Sequence, residues 1–150
     1  MLKIKLSVSD EAFAEIQELL ESAGFEIDDD AEFILSQRNR FSGHMAVVDE
    51  RGERLHIQTE DIIFIESFGH SLEVHTADGI FKSNDALYQV LASLDPNQFL
   101  RVSNSVIIAK GKIKHIKPSI SMKFILTMSN GSLVDVTRSY YQSFKKAIGI

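Results

Sequence analysis

The sequence predicts a mostly β fold with one or two short helices, preceded by a small β-α-β-β extension, and three observations carry that prediction. From Met45 onward, short apolar runs recur with Gly-, Asn- or Asp-containing turns between them, the spacing of a strand-dominated barrel-like or sandwich domain. Helical periodicity is confined to a few stretches, each with a stop signal at its end. No repeat of roughly 20 to 50 residues and no low-complexity tract interrupts the pattern.

Residues 2–8, LKIKLSV, alternate apolar and polar positions and read as a strand. Ser9 or Asp10 then caps a helix to about Ala23, with Ile16, Leu19, Leu20 and Ala23 as its apolar stripe and Gly24 as its stop. Phe25 to Ile27 and Ala31 to Ser36 read as short strands on either side of the acidic turn Asp28-Asp29-Asp30. This extension, residues 1–43, is too small to bury a good core alone and is expected to serve docking, dimerisation or regulation.

The second domain, residues 44–150, opens with a hairpin, MAVVD and ERLHI around Glu50-Arg51-Gly52. IIFIES (62–67) is a largely buried strand. LEVHT (72–76) and IFKSN (80–84) are joined at Ala77-Asp78-Gly79, where Asp-Gly supplies positive φ. Ser83, Asn84 or Asp85 caps a helix, ALYQVLASL, that ends before Pro96. FLRVS, SVIIAK, IKHIKP, FILTM and SLVDVT follow as strands, the last two turning at Asn130-Gly131. A helix, SYYQSFKKAIG, closes the chain at Gly149.

Composition narrows the function. The 150 residues are 44% hydrophobic and 25% charged, ordinary for a soluble globular chain, and no apolar run is long enough to span a bilayer. The N-terminus lacks a secretory signal, and the absence of cysteine removes disulfides and thiolate chemistry, so a cytoplasmic address is expected. Net charge is −5, yet it is unevenly spread. Residues 1–43 hold four basic and ten acidic side chains, whereas residues 101–150 hold nine basic ones and only Asp135 as an acid. Such asymmetry fits a nucleic-acid or acidic-surface binder, and it equally fits lysines that keep exposed strand edges soluble.

No phosphate-cradling GxGxxG or P-loop, no HExxH and no GxSxG is present, and the five histidines form no helical i, i+4 pair. His70 and His75 flank one predicted strand at odd spacing, which sets them on opposite faces and prevents them from sharing a metal. No enzyme activity, cofactor, metal or small-molecule substrate is expected.

Three segments in register resemble the LytTR-type DNA-binding domain of bacterial regulators over roughly residues 45–150. DIIFIESFGHSLEVHTADG (61–79) is similar to the family's D-I-x-Y-I-E-S strand and the loop and strand after it. FLRVSNSVIIAKGKIKHI (99–116) is similar to its F-x-R-V-H-R-S-x-I-V-N-x-x-x-I segment, and NGSLVDVTRSYYQSFKKAIG (130–149) to G-x-x-I-x-V-S-R-x-Y-x-x-x-F-K. The resemblance implies a ten-stranded β fold that inserts loops, rather than a recognition helix, into successive major grooves of double-stranded DNA. Its three base-contacting positions fall on His70, Asn104 and Arg138. Their chemistry agrees: arginine reads guanine O6 and N7, asparagine reads adenine N6 and N7, and a loop histidine can donate to a base or phosphate.

Each also has a plainer reading. His70 could be a turn residue, Asn104 an Asx-turn, and Arg138 a surface partner of Asp135. Ser71, Ser105 and Ser139 are candidate phosphate contacts, and Lys110, Lys112, Lys145 and Lys146 candidates for non-specific backbone attraction. Two departures matter: Ser103 stands where the family has His, and Ala109 where it has Asn, the latter offset by Gly111. Arg101 is expected to hold the loop that presents Asn104.

With no room for a phosphoacceptor receiver domain, the chain resembles the short stand-alone type, often paired with a small membrane protein that restrains it. A homodimer on two half-sites about one helical turn apart is implied as well. The alternative is a protein-interaction β module that holds a membrane or signalling partner without touching DNA. RNA binding is less favoured, because Phe41, Phe68 and Phe81 do not form a paired stacking pattern.

Overall fold

The computed structural model describes residues 1–37 and 41–150; Arg38 and Arg40, counted above among the basic side chains, lie outside the described residues. Packing divides the chain into two compact units, Met1–Ser42 and Gly43–Ile150. Among the described residues no helix is long and apolar enough to cross a membrane.

In the first unit, β1 (Lys3–Ser7) lies between β2 (Glu26–Ile27) and β3 (Phe33–Ser36), both parallel to it, with α1 (Asp10–Ser22) connecting β1 to β2. The helix stops where glycine permits it. Gly24 adopts φ +94°, and the Phe25 N–H donates to Leu20 O at 2.9 Å, closing the end of the helix. One expectation is corrected here. Ser9 occupies the cap position but makes no side-chain capping bond; its N–H donates to Gln37 Oε1 at 3.0 Å. The apolar stripe on α1 is little covered: Leu19 is 59% exposed, and no α1 residue is fully buried. A helix laid on three short strands has too little surface to cover it.

The second unit holds ten strands in two sheets. The larger sheet has the order β5-β4-β8-β7-β6-β10-β9 and is antiparallel throughout. Its strands are β4 (His44–Val48), β5 (Arg54–Gln58), β6 (Ile62–Phe68), β7 (Ser71–Thr76), β8 (Gly79–Ser83), β9 (Phe99–Arg101) and β10 (Val106–Ala109). A second antiparallel sheet follows: β11 (Ile113–Ser119), β12 (Lys123–Met128) and β13 (Leu133–Val136).

Both faces of the large sheet are covered, which is why β6 and β10 are apolar almost throughout. Ile62, Ile65, Val74 and Ile107 point into one core with Leu87 and Val90 of α2 (Leu87–Ser93). Phe64, Val106 and Ile108 point into the other, with Leu126, Met128 and Val136 of the small sheet and Phe144 of α3 (Tyr141–Ile148). Phe144 is fully buried, and truncating it to alanine should cost about 3–5 kcal/mol.

Local chemistry adds detail to the sequence expectation at three places and corrects it at the α2 cap. α2 is capped at Ala86, whose N–H donates to Gln89 Oε1 at 3.0 Å; Ser83 and Asp85 instead bond each other in the preceding turn. The β7–β8 turn is closed by Thr76, whose Oγ1 accepts from the Asp78 N–H at 3.2 Å and donates to Gly79 O at 3.0 Å. Positive φ there belongs to Gly79, the glycine of the expected Asp-Gly pair, which is also the first residue of β8. Finally, a 3-10 turn, Arg138–Tyr140, precedes α3, so Arg138 begins a tight turn of its own.

Candidate nucleic-acid interface

Strand register gathers the three expected contact positions at one end of the second unit. β6 and β7 meet through the pair Phe68 and Ser71, with Gly69 and His70 between them. Gly69 takes φ +58°, the left-handed first position that a two-residue hairpin turn favours, and His70 is exposed at the second. Ser71 is half-buried, and its hydroxyl faces Phe68 O at 3.4 Å. β10 starts beside the end of β6, since Val106 pairs with Glu66, and the Ser67 N–H donates to Ser105 O at 2.8 Å. The loop between β9 and β10 therefore emerges at the same end as the His70 turn.

That loop is held from several sides. Arg101 donates from Nε to Ser103 O at 3.1 Å and from Nη2 to Asn104 O at 2.7 Å, charge-assisted bonds that fix two successive carbonyls. The Ser105 N–H donates to Ser103 Oγ at 3.2 Å. Ser103, standing where the family has histidine, is thus buried and closes the loop through its hydroxyl. Asn104 does not form the Asx-turn of its plainer reading. Its side chain is exposed, and Oδ1 accepts from the Tyr140 hydroxyl at 3.3 Å, across 36 residues of chain.

The third position is tied to the same loop, because the Thr137 N–H donates to Val102 O at 3.0 Å. Arg138 and Ser139 follow immediately and are exposed. Among the described residues Arg138 forms no ion pair with Asp135. A concave surface joins Asn104 and Arg138, and its lining mixes two cations, Arg138 and Lys123, with the carboxylates Glu66 and Asp135.

The expected lysines separate into two groups. Lys145, half-buried, holds Nζ 5.5 Å from the Tyr141 ring, which stacks on Phe124 at 4.8 Å, and Lys146 is exposed beside it on α3. Lys110 and Lys112 lie beyond Ala109, at the opposite end of β10 from Asn104. Gly111 lies within the turn Lys110–Lys112 and is outside the left-handed region. The Lys110 N–H bonds Gln98 O at 2.8 Å. Glu66 and Tyr140 stand at the glutamate and tyrosine of the matched segments, whereas Lys123 lies between segments and carries no signal in the sequence. Among the described residues no group of three His, Cys, Asp or Glu side chains is arranged to hold a metal ion.

Residues 52–149 match the family described as the LytTr DNA-binding domain. The chain is 28% identical over 120 residues to the sensory transduction protein LytT of Bacillus subtilis, covering 79% of this chain and 50% of that protein. It is 26% identical over 102 residues to the transcriptional regulatory protein LytR of Staphylococcus aureus, covering 67% and 42% respectively. It therefore spans half or less of the length of these curated relatives. The LytTr DNA-binding domain of a Bacillus cereus protein superposes with a TM-score of 0.68 at 23% identity, covering 72% of this chain and 98% of that one, which establishes the shared fold.

Proposed function

The chain belongs to the LytTr DNA-binding domain family, and from that premise we propose that it is a sequence-specific transcription regulator that offers His70, Asn104 and Arg138 to successive major grooves of a duplex. The observation that carries this reading is the convergence of the Gly69-His70 turn, the Ser103–Ser105 loop and the Arg138–Tyr140 turn at one end of the second unit, with all three reader side chains exposed. Arg138 reads guanine and Asn104 adenine; His70 adds a donor to a base or phosphate. Ser71, Ser105 and Ser139, each next to a reader, contact phosphates. Lys145 and Lys146 add non-specific attraction. A homodimer on two half-sites, a cytoplasmic address and a small membrane protein as restraint complete the proposal, and the acidic unit Met1–Ser42 is its regulatory or dimerising part.

A second reading has one observation in its favour. Phe33, Ile34 and Leu35 of β3 are 55%, 47% and 41% exposed, an apolar strand that a protein partner could cover. A mobility shift on the region upstream of the chain's own gene separates the readings. A retarded band that survives scrambled competitor and weakens steeply with salt supports DNA readout. Equal binding of scrambled and native duplex, or none, favours the protein-interaction module.

A further inference from the structure

A fourth tip stands at the same end of the second unit and has no assigned role. Ser119 pairs with Lys123, so the β11–β12 hairpin turns through Ile120, Ser121 and Met122. Phe124, the next residue of β12, pairs with Val136 at the end of β13, which brings this turn alongside Thr137 and Arg138. Lys123 itself lines the concave surface shared by Asn104 and Arg138.

The tip is unusual in two ways. Ser121 and Met122 hold φ of 65° and 57°, and they are the only non-glycine residues in the left-handed region among the described residues. Such backbone is costly without glycine and concentrates at functional sites. Its side chains also gain nothing from the core: Ile120 is 87% exposed and Met122 43%. The hairpin around it carries Lys114, Lys117 and Lys123 and no acidic residue. It therefore combines a polyanion-attracting stem with an apolar apex. In a major groove lined by donors and acceptors, the apolar feature such an apex can meet is the C5-methyl group of thymine.

We propose that Ile120–Met122 is a fourth DNA contact, which reads thymine methyl groups in the groove beside Arg138. This rests on the duplex reading above and extends it to a side chain class that makes no hydrogen bond. Because both side chains are exposed, Ile120→Ser and Met122→Ser should fold with unchanged Tm.

The test begins by selecting duplexes from a randomised pool with the full chain. Affinities of wild type, Ile120→Ser and Met122→Ser are then measured on the selected duplex and on copies with uracil in place of single thymines. Each methyl buried contributes about fourfold in affinity. Uracil at one or two positions should therefore cost wild type about fourfold each, Ile120→Ser should lose a similar amount on the thymine duplex, and the two losses should not add. Wild-type affinity for Ile120→Ser, or uracil losses equal in variant and wild type, overturns the fourth contact while leaving readout by the other tips intact. Failure of wild type to enrich any sequence overturns the duplex reading itself.

Discussion

The two ends of the large sheet in the second unit present different side chains, and the proposed DNA reading rests on that difference. At one end, loops that are far apart in sequence are cross-braced: Ser67 to Ser105, Thr137 to Val102, Tyr140 to Asn104. The side chains proposed as readers, His70, Asn104 and Arg138, stay exposed above that bracing. At the other end, β10 passes directly into the turn Lys110–Lys112, whose lysines are half-buried and which is joined to the segment before β9 through the Lys110 N–H on Gln98 O. Rigid loops with exposed polar tips suit recognition, because a positioned side chain loses less entropy on binding than a mobile one.

Substitutions at the two ends should separate sharply. The largest effect is expected from Arg138→Ala, with about 1–3 kcal/mol of discrimination lost at one base position in a duplex-selection assay and Tm unchanged. Tyr140→Phe keeps the ring and removes one hydroxyl. It should relax preference at the position read by Asn104 by about 1 kcal/mol, measured by competition between single-base variants, while other positions stay as in wild type. Lys146→Ala should weaken all sequences alike and flatten the slope of log K against log salt by about 0.9. The smallest effect belongs to the opposite end: Lys110→Ala and Lys112→Ala should leave both base preference and salt slope unchanged in the same titrations. A slope flattened by about 0.9 in either lysine variant would mean that the duplex reaches around to that end.

Much of this arrangement is legible in the sequence. Strand positions follow from apolar runs because both faces of the large sheet are buried, so Ile62–Ile65 and Val106–Ala109 stand out as apolar strands. The three proposed reader positions come from segment resemblance. Their common location does not, since it depends on register, and register is set by pairs such as Glu66 with Val106 that no local pattern encodes. The bracing by Tyr140 is hidden for the same reason, 36 residues lying between donor and acceptor. The Ile120–Met122 turn escapes a sequence reading because it lacks glycine, the usual signal for left-handed backbone. In the first unit, the 3.6-residue period marks α1, but not how far its stripe is covered, because periodicity reports which face is apolar and not how much surface awaits it. The cap of α2 is misplaced by sequence because three polar residues in a row offer equal candidates, and the turn uses two of them.

The central claim is that three separated tips meet one duplex together. Photo-crosslinking tests it most directly, with a photoreactive amino acid placed singly at positions 70, 104 and 138 and the crosslinked nucleotides mapped on the selected duplex. Each position should mark a discrete site, and the sites from all three should fall in order along one face of the DNA. Crosslinks from a single position only, or three sets scattered without order, would contradict it.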